Sequence, residues 1–291
     1  MNILIKFCAI LLLFLFVQST SALDVEGFAP DSSIIYKIVG SAELKLHVFL
    51  PGDFNASDQR SVIVFFFGGG WKGGSLSQFY PHCEYLASRG MVAMTADYRV
   101  NSRHGTSPRE CVIDGKSAVR WIREYAGELG VDPAKIAAGG GSAGGHVAAS
   151  TGTTSSFEEK SENLSISSRP NALVLFNPVY DNGPTGYGYD RVKDYWQEIS
   201  PLHNISEQTP PTIVFLGTKD KLIPVATAKE YKRIMEEKGR RCDLHLYENQ
   251  THGFFNFKNT KNYTNTVVEM DRFFISLGYL KGEPTLKKVL N

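Results

Sequence analysis

Residues 136–150 read Ile-Ala-Ala-Gly-Gly-Gly-Ser-Ala-Gly-Gly-His-Val-Ala-Ala-Ser. Residues 136–139 suit a short buried strand, and residues 143–150 a helix of small side chains. Between them, Gly140-Gly141-Ser142-Ala143-Gly144 fits G-x-S-x-G. A serine on so sharp a strand-to-helix turn projects its hydroxyl from the sheet edge, and the flanking glycines let the turn form without Cβ clashes. The helix after it points its dipole at charge developing on an oxyanion. The same stretch also fits G-x-G-x-x-G through Gly139, Gly141 and Gly144. A dinucleotide site needs an acidic residue at the end of the next strand. The helix here leads into the polar segment 153–169 and not into a strand, so Ser142 reads as a nucleophile.

Upstream, Val62 to Phe67 are apolar in succession and end in Gly68-Gly69-Gly70-Trp71. A short run without polar alternation, closed by glycines, suits a parallel strand buried on both faces. A phosphate loop would continue into Gly-Lys-Ser or Gly-Lys-Thr. Here Lys72 precedes Gly73, Gly74 and Ser75, so the order is wrong. The triplet reads instead as an oxyanion hole, with the Gly69, Gly70 and Ala143 amides as donors.

A serine nucleophile needs a base, and the base an orienting carboxylate. His252 follows a strand-like run, where a loop can carry it over Ser142. Asp220 directly follows another buried run. The order Ser142, Asp220, His252 is that of α/β-hydrolases. Asp181 is the second choice for the acid, while Asp114 and Asp132 precede the nucleophile and read as structural. His146, one helical turn past Ser142, points into helix packing, and His245 lies within a strand.

The rest of the chain sets these residues on a sheet. Residues 34–39 and 43–50 are β-rich, and the alternation in the second reads as a half-exposed antiparallel strand. Strands at 91–96, 173–176, 213–216 and 242–247 alternate with helices at 77–88, 108–129, 225–238 and 265–277. This pattern predicts an α/β fold, a largely parallel sheet with helices on both faces, in one domain over residues 23–291. The long aromatic excursion 181–204 reads either as a substrate loop or as a packed surface segment.

The 31 basic and 30 acidic residues among 291 leave a net charge of +1. No excess drives nucleic-acid binding, so an uncharged substrate is expected. Lys6, the apolar run 7–17 and small residues at Thr20 and Ala22 predict a secretory signal cut after Ala22. That run is too short to span a bilayer comfortably, so no membrane span is expected in the mature chain. Cleavage leaves Cys83, Cys111 and Cys242. Either Cys83 pairs with Cys111, or all three are separate buried thiols. Their spacing fits no zinc motif, and the chemistry inferred calls for no metal or organic cofactor.

From about residue 61 to residue 277 the chain resembles the carboxylesterase/lipase branch of the α/β-hydrolases, which includes hormone-sensitive-lipase-like enzymes and bacterial acetyl esterases. The resemblance rests on Gly68–Gly70, Asp97-Tyr98-Arg99, Gly141-Ser142-Ala143-Gly144-Gly145, Asp220 with Pro224, and His252-Gly253-Phe254. It implies ester hydrolysis through an acyl-enzyme. Two departures stand out. Relatives place histidine before the glycine triplet, where this chain has Phe67, so the bracing of that loop is in question. Many relatives also carry an N-terminal helical cap, for which little chain is present here. The resemblance then implies an open site, suited to a bulky alcohol with a small acyl group. Secreted members of the branch often deacetylate polysaccharides. A serine peptidase on this fold and a non-catalytic binding protein are the rival readings.

Overall fold

The structure, a computed structural model, describes residues 27–288. The expected signal sequence and its cleavage after Ala22 fall outside the described residues. Eight strands form one sheet: β1 (Ser32–Val39), β2 (Ala42–Phe49), β3 (Arg60–Phe66), β4 (Val92–Ala96), β5 (Val131–Gly141), β6 (Ala172–Phe176), β7 (Thr212–Gly217) and β8 (Cys242–Tyr247). Their order is β1-β2-β4-β3-β5-β6-β7-β8. The pairs β1–β2 and β2–β4 are antiparallel, and β3 to β8 run parallel. This is the α/β-hydrolase fold expected from the sequence.

The main helices are α1 (Tyr80–Ser88), α3 (Pro108–Glu124), α4 (Ala143–Thr153), α7 (Val225–Glu237) and α8 (Thr260–Ser276). Short turns of helix occur at α2 (Asn101–His104), α5 (Tyr189–Val192) and α6 (Trp196–Ile199). Several boundaries differ from expectation, β5 starting at Val131 instead of residue 136 and α1 at Tyr80 instead of residue 77 among them. Helix α3 stops at Glu124 instead of continuing to residue 129, because the chain must tighten through Gly127 and Gly130 to enter the earlier-starting β5. Helix α8 begins at Thr260 instead of residue 265, its first turn too polar to show an apolar stripe.

Successive residues of β3 feed two cores. Val62, Val64 and Phe66 pack with α3, α4 and α7, whereas Ile63 and Phe65 pack with α1 and α8. The unbroken apolar run is therefore a strand covered on both faces. The chain steps from β3 outward to β4, then back past β3 to β5. Right-handed crossovers taken in opposite directions fall on opposite faces, which is why α1 and α3 do. Cys83 on α1 and Cys111 on α3 thus belong to different cores. They do not pair; Cys83, Cys111 and Cys242 are free and buried. The alternative of three separate thiols is the one observed.

The polar segment 153–169 is moored. Lys116, almost fully buried, places Nζ 2.6 Å from Glu158 Oε1 and donates to the Thr154 and Ser156 carbonyls, while Arg120 pairs with Glu158 and Glu162. Among the described residues no helix is long and apolar enough to cross a membrane.

Candidate active site

The parallel strands deliver the candidate residues to one edge, at their C-terminal ends. Ser142 follows β5 and starts α4. Its backbone sits at φ 55° and ψ −119°, the strained conformation of a strand-to-helix elbow. The turn is held by Ser142 N–H to Phe176 O (3.0 Å) and by His146 and Val179 N–H to Ser142 O (3.0 and 3.2 Å). Glycine is obligatory at its base: a Cβ on Gly144 would lie 2.0 Å from Phe66 O.

Asp220 follows β7. Its Oδ1 accepts the Leu222 and Ile223 amides at 2.8 and 3.0 Å, which turns Oδ2 toward His252. His252 follows β8. Its Nδ1 lies 2.7 Å from Asp220 Oδ2 and its Nε2 2.9 Å from Ser142 Oγ. An ionised carboxylate only accepts, so Nδ1 carries the proton and Nε2 is free to accept from the serine. The Asp220 side chain is wholly buried and that of His252 is 25% exposed, so the relay opens to solvent at its serine end. Asp181 does not compete. Its carboxylate accepts the Gly183 amide at 2.7 Å and lies 3.9 Å from His203.

The glycine triplet lies beside the serine, a Cβ on Gly68 falling 3.4 Å from Ser142 Cβ. Gly69 O accepts from the Lys72 and Gly73 amides, and Gly70 O from Arg191 Nη1 at 2.8 Å. Among the described residues the amides of Gly69, Gly70 and Ala143 have no protein acceptor. Three unpaired N–H groups near a serine hydroxyl are the donor set that could receive an oxyanion. The loop is braced without the family's histidine: Phe67 stacks on Tyr98 instead.

Several supporting residues were not foreseen. Gln78 Oε1 accepts the Gly68 amide at 2.7 Å, and its Nε2 donates to Asn256 Oδ1 at 3.0 Å. Asn256 Nδ2 in turn donates to Gly253 O at 2.8 Å, tying the glycine loop to the histidine loop. Asn177, after β6, accepts the Gly253 amide at 3.0 Å and brings Nδ2 to 3.4 Å from His252 Nε2. Its position just past a buried strand, on the same edge as Ser142 and Asp220, was the available signal. The excursion 181–204 also reaches the site, with the Tyr187 ring 5.7 Å from Trp71. As expected, His146 faces inward. It accepts from Trp71 Nε1 at 3.3 Å and donates to Ile199 O at 3.1 Å, and burial lowers its pKa to about 4. Among the described residues no cluster of three or more His, Cys, Asp or Glu could hold a metal.

The family model for BD-FAE matches residues 46–235. This chain belongs to the BD-FAE family. Among solved structures, the BD-FAE chain is similar to Thermogutta terrifontis esterase 2 phosphoramylated by tabun. The two share 46% identity and a TM-score of 0.84, over 87% of this chain and 96% of that one. The same enzyme has been solved with propionate and with butyrate bound. Among curated relatives it is 26% identical to the probable carboxylic ester hydrolase LipM of Mycobacterium tuberculosis, over 84% of this chain and 61% of that protein. It is also 26% identical to an acetylxylan esterase of Xylanibacter ruminicola, over 60% of this chain and 37% of that protein. The BD-FAE chain spans between about half and three-fifths of the length of the first curated relatives it matches.

Proposed function

We propose that this chain is a secreted serine carboxylic-ester hydrolase acting through an acyl-enzyme, with residues 23–291 as one catalytic domain. The observation that carries the reading is the continuous relay from Ser142 Oγ through His252 to buried Asp220, at 2.9 and 2.7 Å. In this reading His252 Nε2 takes the Ser142 proton as Oγ attacks the ester carbonyl. Asp220 holds the tautomer and stabilises the imidazolium. The Gly69, Gly70 and Ala143 amides receive the oxyanion. His252 then protonates the departing alkoxide, and water activated by the same ring hydrolyses the acyl-enzyme.

Short acyl groups, acetyl foremost, fit best, and the alcohol side is open to a carbohydrate. Support comes from the small acids bound by the Thermogutta esterase and the acetylxylan esterase among the relatives. Secretion is supported by Lys6, the apolar run 7–17 and the small residues before position 23.

A p-nitrophenyl ester series run beside an acetylated polysaccharide tests the substrate. Rates should be highest with acetate and fall as the acyl chain lengthens. Replacing Ser142 with Ala should abolish both turnover and fluorophosphonate labelling. Turnover retained in that variant would remove Ser142 from the chemistry.

A further inference from the structure

Of the 13 arginines in the sequence, eight form ion pairs with carboxylates. Arg109 and Arg191 lie over aromatic rings. Among the described residues, the three left with neither kind of partner are Arg123, Arg169 and Arg240. All three line one cleft of about 340 Å³, completed by Ser167, Asn171 and Gln208, with no Asp or Glu in its wall. A chain with nearly equal numbers of acidic and basic residues does not gather its uncompensated guanidinium groups through charge excess.

The cleft is made by four separate segments. Arg123 lies in the last turn of α3, residues 167–171 lead into β6, residues 208–211 lead into β7, and Arg240 follows α7. It therefore lies at the N-terminal ends of the parallel strands, a full strand length from Ser142. Each arginine is fixed by neutral acceptors. Arg123 donates to Pro133 O (3.2 Å), Ser167 O and Asn171 Oδ1 (3.0 Å). Arg240 Nε donates to Thr209 O at 2.8 Å, and Arg169 Nη1 to Gln208 Oε1. These bonds leave both Nη groups of Arg240, and Nε and Nη2 of Arg169, with no partner among the described residues. Burial without a counter-anion lowers the pKa of Arg123. Arg169 and Arg240, held this way with donors left open, are arranged for planar, bidentate contact with oxygens.

We propose that this cleft binds a compact oxyanion of at least two negative charges, of the phosphate or sulfate type, independently of the ester site. A free anion and a monoester present the same oxygens, so the test includes both.

Isothermal titration of the full chain with sodium sulfate, sodium phosphate and glucose 6-phosphate, against sodium chloride at matched ionic strength, reads the site directly. Saturable binding of the oxyanions but not of chloride is expected. It should be unchanged in Ser142→Ala and weakened about tenfold or more in Arg169→Gln/Arg240→Gln. Tighter binding of the monoester than of inorganic phosphate would support the proposal with an esterified ligand, and the reverse ranking with the free ion. Hydrolysis of p-nitrophenyl acetate should be unaffected in the double variant. If that variant does not fold, Arg169→Gln alone carries the test, since its side-chain partner Gln208 is exposed. No saturable binding, equal binding in the arginine variants, or loss of binding in Ser142→Ala would each overturn the proposal.

Discussion

Phe67 stacks on Tyr98 with ring centroids 4.2 Å apart and planes 18° from parallel, and Tyr98 Oη donates to the Phe67 carbonyl at 2.5 Å. One residue thus supplies both the packing and the donor that hold the strand end ahead of Gly68. Tyr98→Phe keeps the stack and deletes the donor, leaving a buried carbonyl short of its partner. Urea unfolding should show a loss of about 1–3 kcal/mol. An unchanged midpoint would mean that stacking alone braces the loop.

Asn177 tethers the histidine loop by accepting the Gly253 amide, and it approaches His252 Nε2 from the side opposite Asp220. Without it, the ring keeps Asp220 and the Asn256 tether on Gly253 O but loses the hold on the Gly253 amide. Asn177→Ala should lower kcat on p-nitrophenyl acetate by about 10²-fold, the scale of a small misplacement of a reacting group. KM should change little, because no acyl or alcohol contact is removed. A parallel rise in KM with kcat intact would place Asn177 in substrate binding.

The elbow stores strain in a residue with a side chain. A non-glycine residue at φ 55° and ψ −119° costs on the order of 1–3 kcal/mol. Ser142→Gly relieves that strain, offset by about 0.5–1 kcal/mol of extra chain entropy in the unfolded state. The glycine variant should therefore unfold at equal or higher denaturant than wild type, and above Ser142→Ala, which keeps the strain. A midpoint for Ser142→Gly below that of Ser142→Ala would refute stored strain.

His82 and His146 are fully buried, and burial lowers their pKa values to about 3 and about 4. Unfolding returns both toward the ordinary value of 6.5. Below that pH the unfolded chain binds more protons than the folded one, so stability falls as pH drops from 6.5 toward 4. Among the described residues His82 has no hydrogen-bond partner at either ring nitrogen and packs among Phe79, Phe176 and Tyr263. His82→Leu should flatten the pH dependence, on the order of a few kcal/mol across that window. Urea midpoints at about pH 7 and about pH 4.5 make the comparison. A slope like that of wild type would assign the acid sensitivity to other groups.

The placement of Ser142, Asp220 and His252 on one sheet edge was legible because each lies in the turn or loop after a strand, where turn chemistry and apolar runs leave local marks. The β3 run was legible because burial on both faces removes polar alternation. Asn177 carries the same mark, directly after β6, but no motif singles it out, and Gln78 and Asn256 leave none. A polar residue in a turn looks ordinary until folding closes its partner, here up to 178 positions away, onto it. The Cys83–Cys111 pairing failed for a topological reason. Separation along the chain carries no record of which face a crossover takes, and the reversal at β4 puts these two helices on opposite sides. Helix ends were misplaced where the first or last turn is polar.

The placement of the thiols has a practical consequence. Within residues 27–288 every cysteine sits in a core, and burial raises the pKa of Cys83, Cys111 and Cys242 alike, that of Cys242 to about 12. Thiols kept protonated and shielded are poor nucleophiles and slow targets for oxidants. Folding of this region therefore sets no requirement on redox potential. Reductant should leave its melting temperature unchanged, and refolding from denaturant should need neither a thiol–disulfide couple nor an isomerase.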